Sequence, residues 1–191
     1  MAATSRMLAL GTPVPAFTLP DPVTGRAVSS RDFDASKALL VAFICNHCPY
    51  VKHILEGFAE FAREYGPRGL AVVAISANDP ADYPEDAPAR MAQVARERRF
   101  TFPYLFDETQ SVAKAYEAMC TPDFFLFDRD RRLAYRGQFD SSRPRNQVPV
   151  TGSDLRAASD AVLAARAVSD KQTPSVGCGI KWKAGNEPDW A

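Results

Sequence analysis

Two uninterrupted apolar runs flank one amphipathic stretch: KALLVAFIC at 37–45, VKHILEGFAEFAREYG at 51–66 and GLAVVAIS at 69–76. Each run is short, rich in β-formers and free of polar alternation, the pattern of a strand buried on both faces. Between them Val51, Ile54, Leu55, Phe58, Phe61, Ala62 and Tyr65 recur at helical spacing. Lys52, His53, Glu56, Glu60, Arg63 and Glu64 fall mostly on the opposite side, and Gly66-Pro67 closes the segment. Parallel strands need a crossover, so this stretch predicts a β-α-β unit inside an α/β sheet.

The rest of the chain fits around that unit. AFTLPDPVTGRAVSSRDF predicts an N-terminal hairpin and turn, and ANDPADYPEDAP a proline- and acid-rich loop ahead of a helix over 88–99. FPYLFDE reads as a short strand, and TQSVAKAYEAM as a short helix with Thr109 as N-cap. DFFLFDRDRRLAYRGQFD reads as two strands joined by a charged turn, and GSDLRAASDAVLAARAV as a helix capped by Ser153 or Asp154. The segment from 168 onward shows little helical or strand period and contains Pro174, Gly177, Gly179 and Pro188. It is expected to be a tail (168–191) following one domain (1–167).

Charge excludes some function classes. Lysine plus arginine and aspartate plus glutamate are 23 each, so no global field favours nucleic acid or an anionic membrane. No stretch reaches the roughly 20 apolar residues of a membrane span, and MAATSRMLALGTPVPAF lacks an apolar signal core, so a cytoplasmic protein is expected. The 4 cysteines are too few for a disulfide scaffold; in a reducing compartment a CxxC points to catalysis or metal.

FICNHCPYVKH (43–53) holds both histidines of the chain and half of its cysteines. Cys45 closes the first buried run, and Cys48 falls in the first turn of the helix, where Pro49 loses nothing by lacking an N–H. Side chains three apart on a helix are neighbours, so a modest adjustment permits a Cys45–Cys48 disulfide. Free N–H groups and the positive dipole end at a helix start favour thiolate, and His47 as imidazolium adds to that and makes the disulfide more oxidising. Thiol–disulfide exchange needs these conditions. Cys45, His47, Cys48 and His53 nominally count four metal ligands, but adjacent His47 and Cys48 point to different sides, and closed structural sites usually draw a second pair from elsewhere.

On these residues and their order the chain resembles the thioredoxin-fold redoxins, specifically the AhpC/TSA and TlpA-like branch of peroxiredoxin-like proteins. LGTPVPAFTLPDPVTGRAVSSRDF looks like the entry motif of that family, LLVAFICNHCPYV stands where its redox strand and helix sit, and CTPDFFLFDRDRRLAYRGQFD is similar to its cis-proline segment. The similarity covers roughly 8–166. It implies a thioredoxin-like α/β fold: a central mixed sheet flanked by helices, with an N-terminal β-hairpin extension and a C-terminal tail. It also implies Cys45 as nucleophile, Cys48 as resolving cysteine, and Thr121-Pro122 as the cis-proline pair that presents backbone to a substrate chain. No cofactor and no metal are implied. The partners are a protein or low-molecular-weight thiol or disulfide and a reducing partner of thioredoxin or glutathione type.

The departures matter. Ile44 replaces the tryptophan usual in thioredoxins, and Val41, Ala42 and Phe43 supply no buried acid, leaving His47 or Asp79 as positional candidates for proton acceptor. The peroxidase signature P-x-x-x-T-x-x-C fits neither Cys45 nor Cys48, so an antioxidant peroxidase is the alternative rather than the first reading. A copper-binding relative would need a histidine downstream, and none follows His53. Cys120, directly before Thr121-Pro122, is either a small buried hydrophobe or a further redox cysteine. Cys178 lies between Gly177 and Gly179, which let backbone approach closely; the tail is expected either to dangle or to fold back so that this thiol exchanges with the pair or with Cys120.

Overall fold

The computed structural model describes residues 2–190. Its centre is a five-stranded mixed sheet. The first apolar run forms β4 (Ala38–Phe43), fully buried, and the second forms β5 (Leu70–Ser76), with α1 (Pro49–Tyr65) as crossover. Earlier in the chain lie β1 (Ala2–Thr4) and the hairpin β2 (Thr18–Pro20) and β3 (Ala27–Ser29). Then follow α2 (Pro88–Glu97), β6 (Tyr104–Phe106), α3 (Ser111–Ala115), β7 (Cys120–Thr121), β8 (Asp123–Phe127), β9 (Leu133–Gly137), α4 (Ser153–Leu163) and β10 (Val176–Gly179). The central order is β6-β5-β4-β8-β9: β4, β5 and β6 are parallel, while β8 runs antiparallel to β4 and to β9.

Strand alternation sorts the core into two layers. Leu40 and Ala42 of β4 join Val51, Ile54, Phe58 and Phe61 of α1 and Leu155 and Ala158 of α4 on one face. Leu39, Val41 and Phe43 face the other way, onto Phe17 and Leu19 from the N-terminal hairpin and Val112 and Tyr116 beside α3. The thioredoxin-like α/β architecture expected from the sequence is therefore what the chain adopts.

Local differences have local causes. The N-cap of α3 is Gln110 in a left-handed conformation, not Thr109: the Gln110 amide is needed elsewhere, donating to the carbonyls of Ala77 and Lys181. The N-cap of α4 is Gly152, with Ser153 and Asp154 already inside the helix. There Phe139 lies 2.5 Å from where a Cβ would stand, leaving room only for glycine.

The largest difference is in the C-terminal segment, which contains a strand. β10 pairs antiparallel with β7 on one side and β1 on the other, making a second, three-stranded sheet (Cys178↔Thr121 and Ala2↔Cys178). Gly177 permits this, because a Cβ there would sit 2.0 Å from the Thr121 carbonyl oxygen. Beyond it the Lys181 carbonyl accepts from Asp79 N–H, and Lys181 and Lys183 N–H donate to Asn78 Oδ1 and Gln110 Oε1. Trp182 and Trp190 meet edge to face at 6.1 Å, and the Arg6 guanidinium lies over the Trp190 ring at 5.0 Å. Among the described residues, no helix is long and apolar enough to cross a membrane.

Candidate active site

Cys45 follows the end of β4, and Cys48 is the N-cap of α1 with Pro49 in its first turn. The peptide bond between Thr121 and Pro122 is cis, between β7 and β8. β8 is bonded to β4, with Asp123 opposite Phe43, so the cis-proline lies against the cysteines. Both sulfurs converge on Thr121: Cys45 Sγ is 3.2 Å from its hydroxyl and Cys48 Sγ 3.1 Å from its carbonyl oxygen. Cys45 is 1 % exposed and Cys48 0 %.

The two thiols have opposite acidities. Burial pushes Cys45 well up; a hydrogen bond to Cys48 and the nearby Asp86 charge push the same way, against the Thr121 hydroxyl. Cys48 is lowered, first because the Cys45 thiol donates to it. The Cys178 thiol and the N–H groups of Val51 and Cys178 also favour its ionised form, and burial opposes them. Val51 belongs to the first turn of α1, where backbone N–H groups have no carbonyl partner within the helix. The Thr121 carbonyl, an acceptor for Cys48 when it is protonated, is the neighbour set against the thiolate, and four donors oppose it. Cys48 is the N-cap of α1, so the dipole argument from the sequence applies first to its sulfur.

His47 sits 3.7 Å from Cys45 Sγ through Nδ1, and the same nitrogen meets Asp86 Oδ2 at 2.5 Å. Asp86 was missed by the sequence reading, which named Asp79; the Asp79 carboxylate instead accepts from Ala81 N–H in its own turn. Asp86 is wholly buried and also accepts from the N–H groups of Asn46 and His47 and from the Asn78 amide. Tyr83 stacks on His47 at 4.3 Å, and Lys181 Nζ stands 5.3 Å from the Tyr83 ring. The one available signal for this group was its density of acids in a proline-rich loop.

Cys45, His47 and Asp86 bring three potential metal donors within 4.8 Å of one another, among the described residues. Cys48 and His53 do not join them, so the nominal four-ligand set is not assembled. The 2.5 Å contact between Nδ1 and Oδ2 is a hydrogen bond, shorter than the spacing of two ligands on one ion, and the other Asp86 oxygen is occupied by two backbone N–H groups. The residues present do not fit a metal.

Cys120 is wholly buried, and burial drives its thiol far up; it makes only long contacts to the carbonyls of Pro122 (3.7 Å) and Ser175 (3.9 Å). Cys178 is half-buried and packs against the core layer that contains both pair cysteines, with its acidity weakened mainly by burial. The backbone edge at Thr121-Pro122, expected to receive a substrate chain, is occupied by β10 of the same molecule. A second acid escaped notice: Asp123 is 0 % exposed, neither carboxylate oxygen has a hydrogen-bond partner, and burial raises it to about 7. The Ser175 and Ser5 hydroxyls and the Met119 and Phe124 N–H groups oppose that rise, and the Ser175 hydroxyl donates to Gly137 O.

The AhpC/TSA family pattern matches residues 10–136. An uncharacterized conserved protein from Geobacillus kaustophilus is 51% identical, with TM-score 0.94 over 96% of this chain and 97% of the other. A hypothetical protein from Sinorhizobium meliloti 1021 is 53% identical, with TM-score 0.93 over 95% and 99%. Peroxidoxin BcpB from Mycobacterium tuberculosis shares the fold at 21% identity (TM-score 0.61; 83% and 97% covered). So does a putative thiol:disulfide interchange protein DsbE from Chlorobium tepidum, also at 21% (TM-score 0.61; 82% and 99%). No curated protein sequence gives a significant match. A family pattern spanning most of the domain, laid on a thioredoxin-type sheet with paired cysteines beside a cis-proline, makes this chain a member of the AhpC/TSA family.

Proposed function

We propose that the chain is a thiol-disulfide oxidoreductase whose redox pair is Cys45 and Cys48. The observation that carries this reading is the meeting of both sulfurs at Thr121 beside the cis-proline. Cys48 is the attacking sulfur, and Cys45 keeps the proton until it closes the internal disulfide. Asp86 positions His47 beside Cys45. Substrates are protein or low-molecular-weight disulfides in a reducing, cytoplasmic setting, and the electron donor is of thioredoxin or glutathione type.

A stabilised thiolate makes the corresponding disulfide a stronger oxidant. Equilibration with glutathione should place the pair above the roughly −270 mV of thioredoxin. A thioredoxin-like value would remove the stabilised Cys48 thiolate from this reading. Peroxide reduction should be slow, because the peroxidase signature P-x-x-x-T-x-x-C fits neither Cys45 nor Cys48. Stopped-flow mixing with hydrogen peroxide checks this, and a rate near that of a fast peroxidase would reverse the assignment.

A further inference from the structure

We infer that Cys178 is a relay cysteine, carried on the molecule's own strand in the place of a substrate chain, through which external disulfides exchange with the buried Cys45–Cys48 pair. The inference rests on the proposed exchange reaction and adds the route into it.

The pair by itself has no outlet, since Cys45 and Cys48 are 1 % and 0 % exposed. An exchange reaction needs sulfur in line with sulfur, so a disulfide in solution cannot meet either of them in this conformation. Cys178 is the one partly exposed cysteine of the four. It is held in register opposite Thr121, the residue whose hydroxyl and carbonyl touch the two pair sulfurs. Its side chain packs against the core layer that contains both pair cysteines.

The placement is built from several directions. Gly177 lets the strand approach Thr121 where any Cβ would collide. β1 pairs with the outer edge of β10, and the Asn78 side chain binds both Lys181 N–H and Asp86, joining the tail to the loop that holds His47. A free-swinging thiol would need none of these contacts.

The relay balances in three displacements, with a low-molecular-weight disulfide RSSR as oxidant. Cys178 passes its proton to the adjacent Cys48 thiolate and attacks RSSR as thiolate, forming a Cys178–SR bond while the RSSR bond breaks; the first RS⁻ departs with that proton, returning Cys48 to thiolate. The Cys48 thiolate attacks the Cys178 sulfur, forming Cys48–Cys178 and expelling the second RS⁻. Cys45 then gives its proton to that RS⁻ and attacks Cys48, forming Cys45–Cys48 and releasing Cys178 as thiolate. Two electrons pass from the pair to RSSR, two RSH leave, and the single negative charge moves from Cys48 to Cys178.

The test uses the full reduced chain with oxidised glutathione as probe and peptide mapping as readout. Cys178→Ser should slow formation of the Cys45–Cys48 disulfide at least thirtyfold, roughly 2 kcal/mol in the barrier. Cys45→Ser, which stops the relay before its last step, should accumulate a Cys48–Cys178 disulfide. Oxidation of Cys178→Ser as fast as wild type, or faster, overturns the relay alone, as does Cys45→Ser that collects glutathione on Cys48 without linking to Cys178. A wild-type chain that forms no Cys45–Cys48 disulfide at any glutathione ratio overturns the exchange reaction itself, and the relay with it.

Discussion

Replacing Cys48 with serine should reduce the conversion of oxidised glutathione to two thiols at least a thousandfold, on the order of the loss when a covalent nucleophile is removed. The reason is the distribution of donors. Cys48 receives the Cys45 thiol, the Cys178 thiol and two N–H groups, whereas Cys45 is held up by burial and by Asp86. Serine at position 48 leaves Cys45 without a partner sulfur and leaves glutathione captured at Cys178 without an acceptor. Thiolate absorbance in the ultraviolet gives a second readout. It should persist below about pH 6 in the reduced wild type and in Cys45→Ser, whose hydroxyl still donates, and vanish in Cys48→Ser. Persistence in Cys48→Ser would return the nucleophile to Cys45. Cys120→Ser should exchange within about twofold of wild type, because its sulfur behaves as a small buried hydrophobe.

Asp123→Asn should stabilise the protein at pH 8 and change it little at pH 4. The carboxyl is wholly buried without a hydrogen-bond partner, and burial raises it to about 7. For a group raised on folding, stability is fully present below the unfolded value and lost as pH climbs through the folded one. The window therefore runs from the ordinary aspartate value of 3.8 to about 7. A rise of that size corresponds to on the order of 4 kcal/mol, or roughly 10 °C in Tm for a chain of this length. Asparagine keeps the shape and never ionises, so the difference between variant and wild type should open across that window. The Cys48 contribution has the opposite sign, fading as pH falls from above its unfolded value, and cancels in the comparison. Denaturant melts at pH 4, 6 and 8 decide it; parallel curves would mean that Asp123 is ionised or paired throughout.

The sequence made the sheet's centre legible because its signals are local. Eight consecutive apolar residues in 38–45 admit few alternatives, Pro49 announces a helix start, and the stripe from Val51 to Tyr65 names the buried face. β10 was illegible for the same reason. Val176–Gly179 is four residues with two glycines, a sequence of low strand propensity, and it is ordered by edges supplied from residues 2–4 and 120–121. The site divides likewise. Cys45, His47 and Cys48 declare themselves by spacing, whereas Asp86 stands 39 positions from His47, and which sulfur is the more acidic depends on donors from Thr121 and Cys178. Asp123 looked like the first residue of an ordinary strand; only burial marks it.

The chain's 2 tryptophans both lie beyond β10, one packed against the other beneath Arg6. Intrinsic emission excited in the indole band is thus a label-free optical gauge of the C-terminal segment alone, blind to the rest of the molecule. Peeling that segment from its seat would register as a change in intensity or wavelength, timed against turnover in the same cuvette.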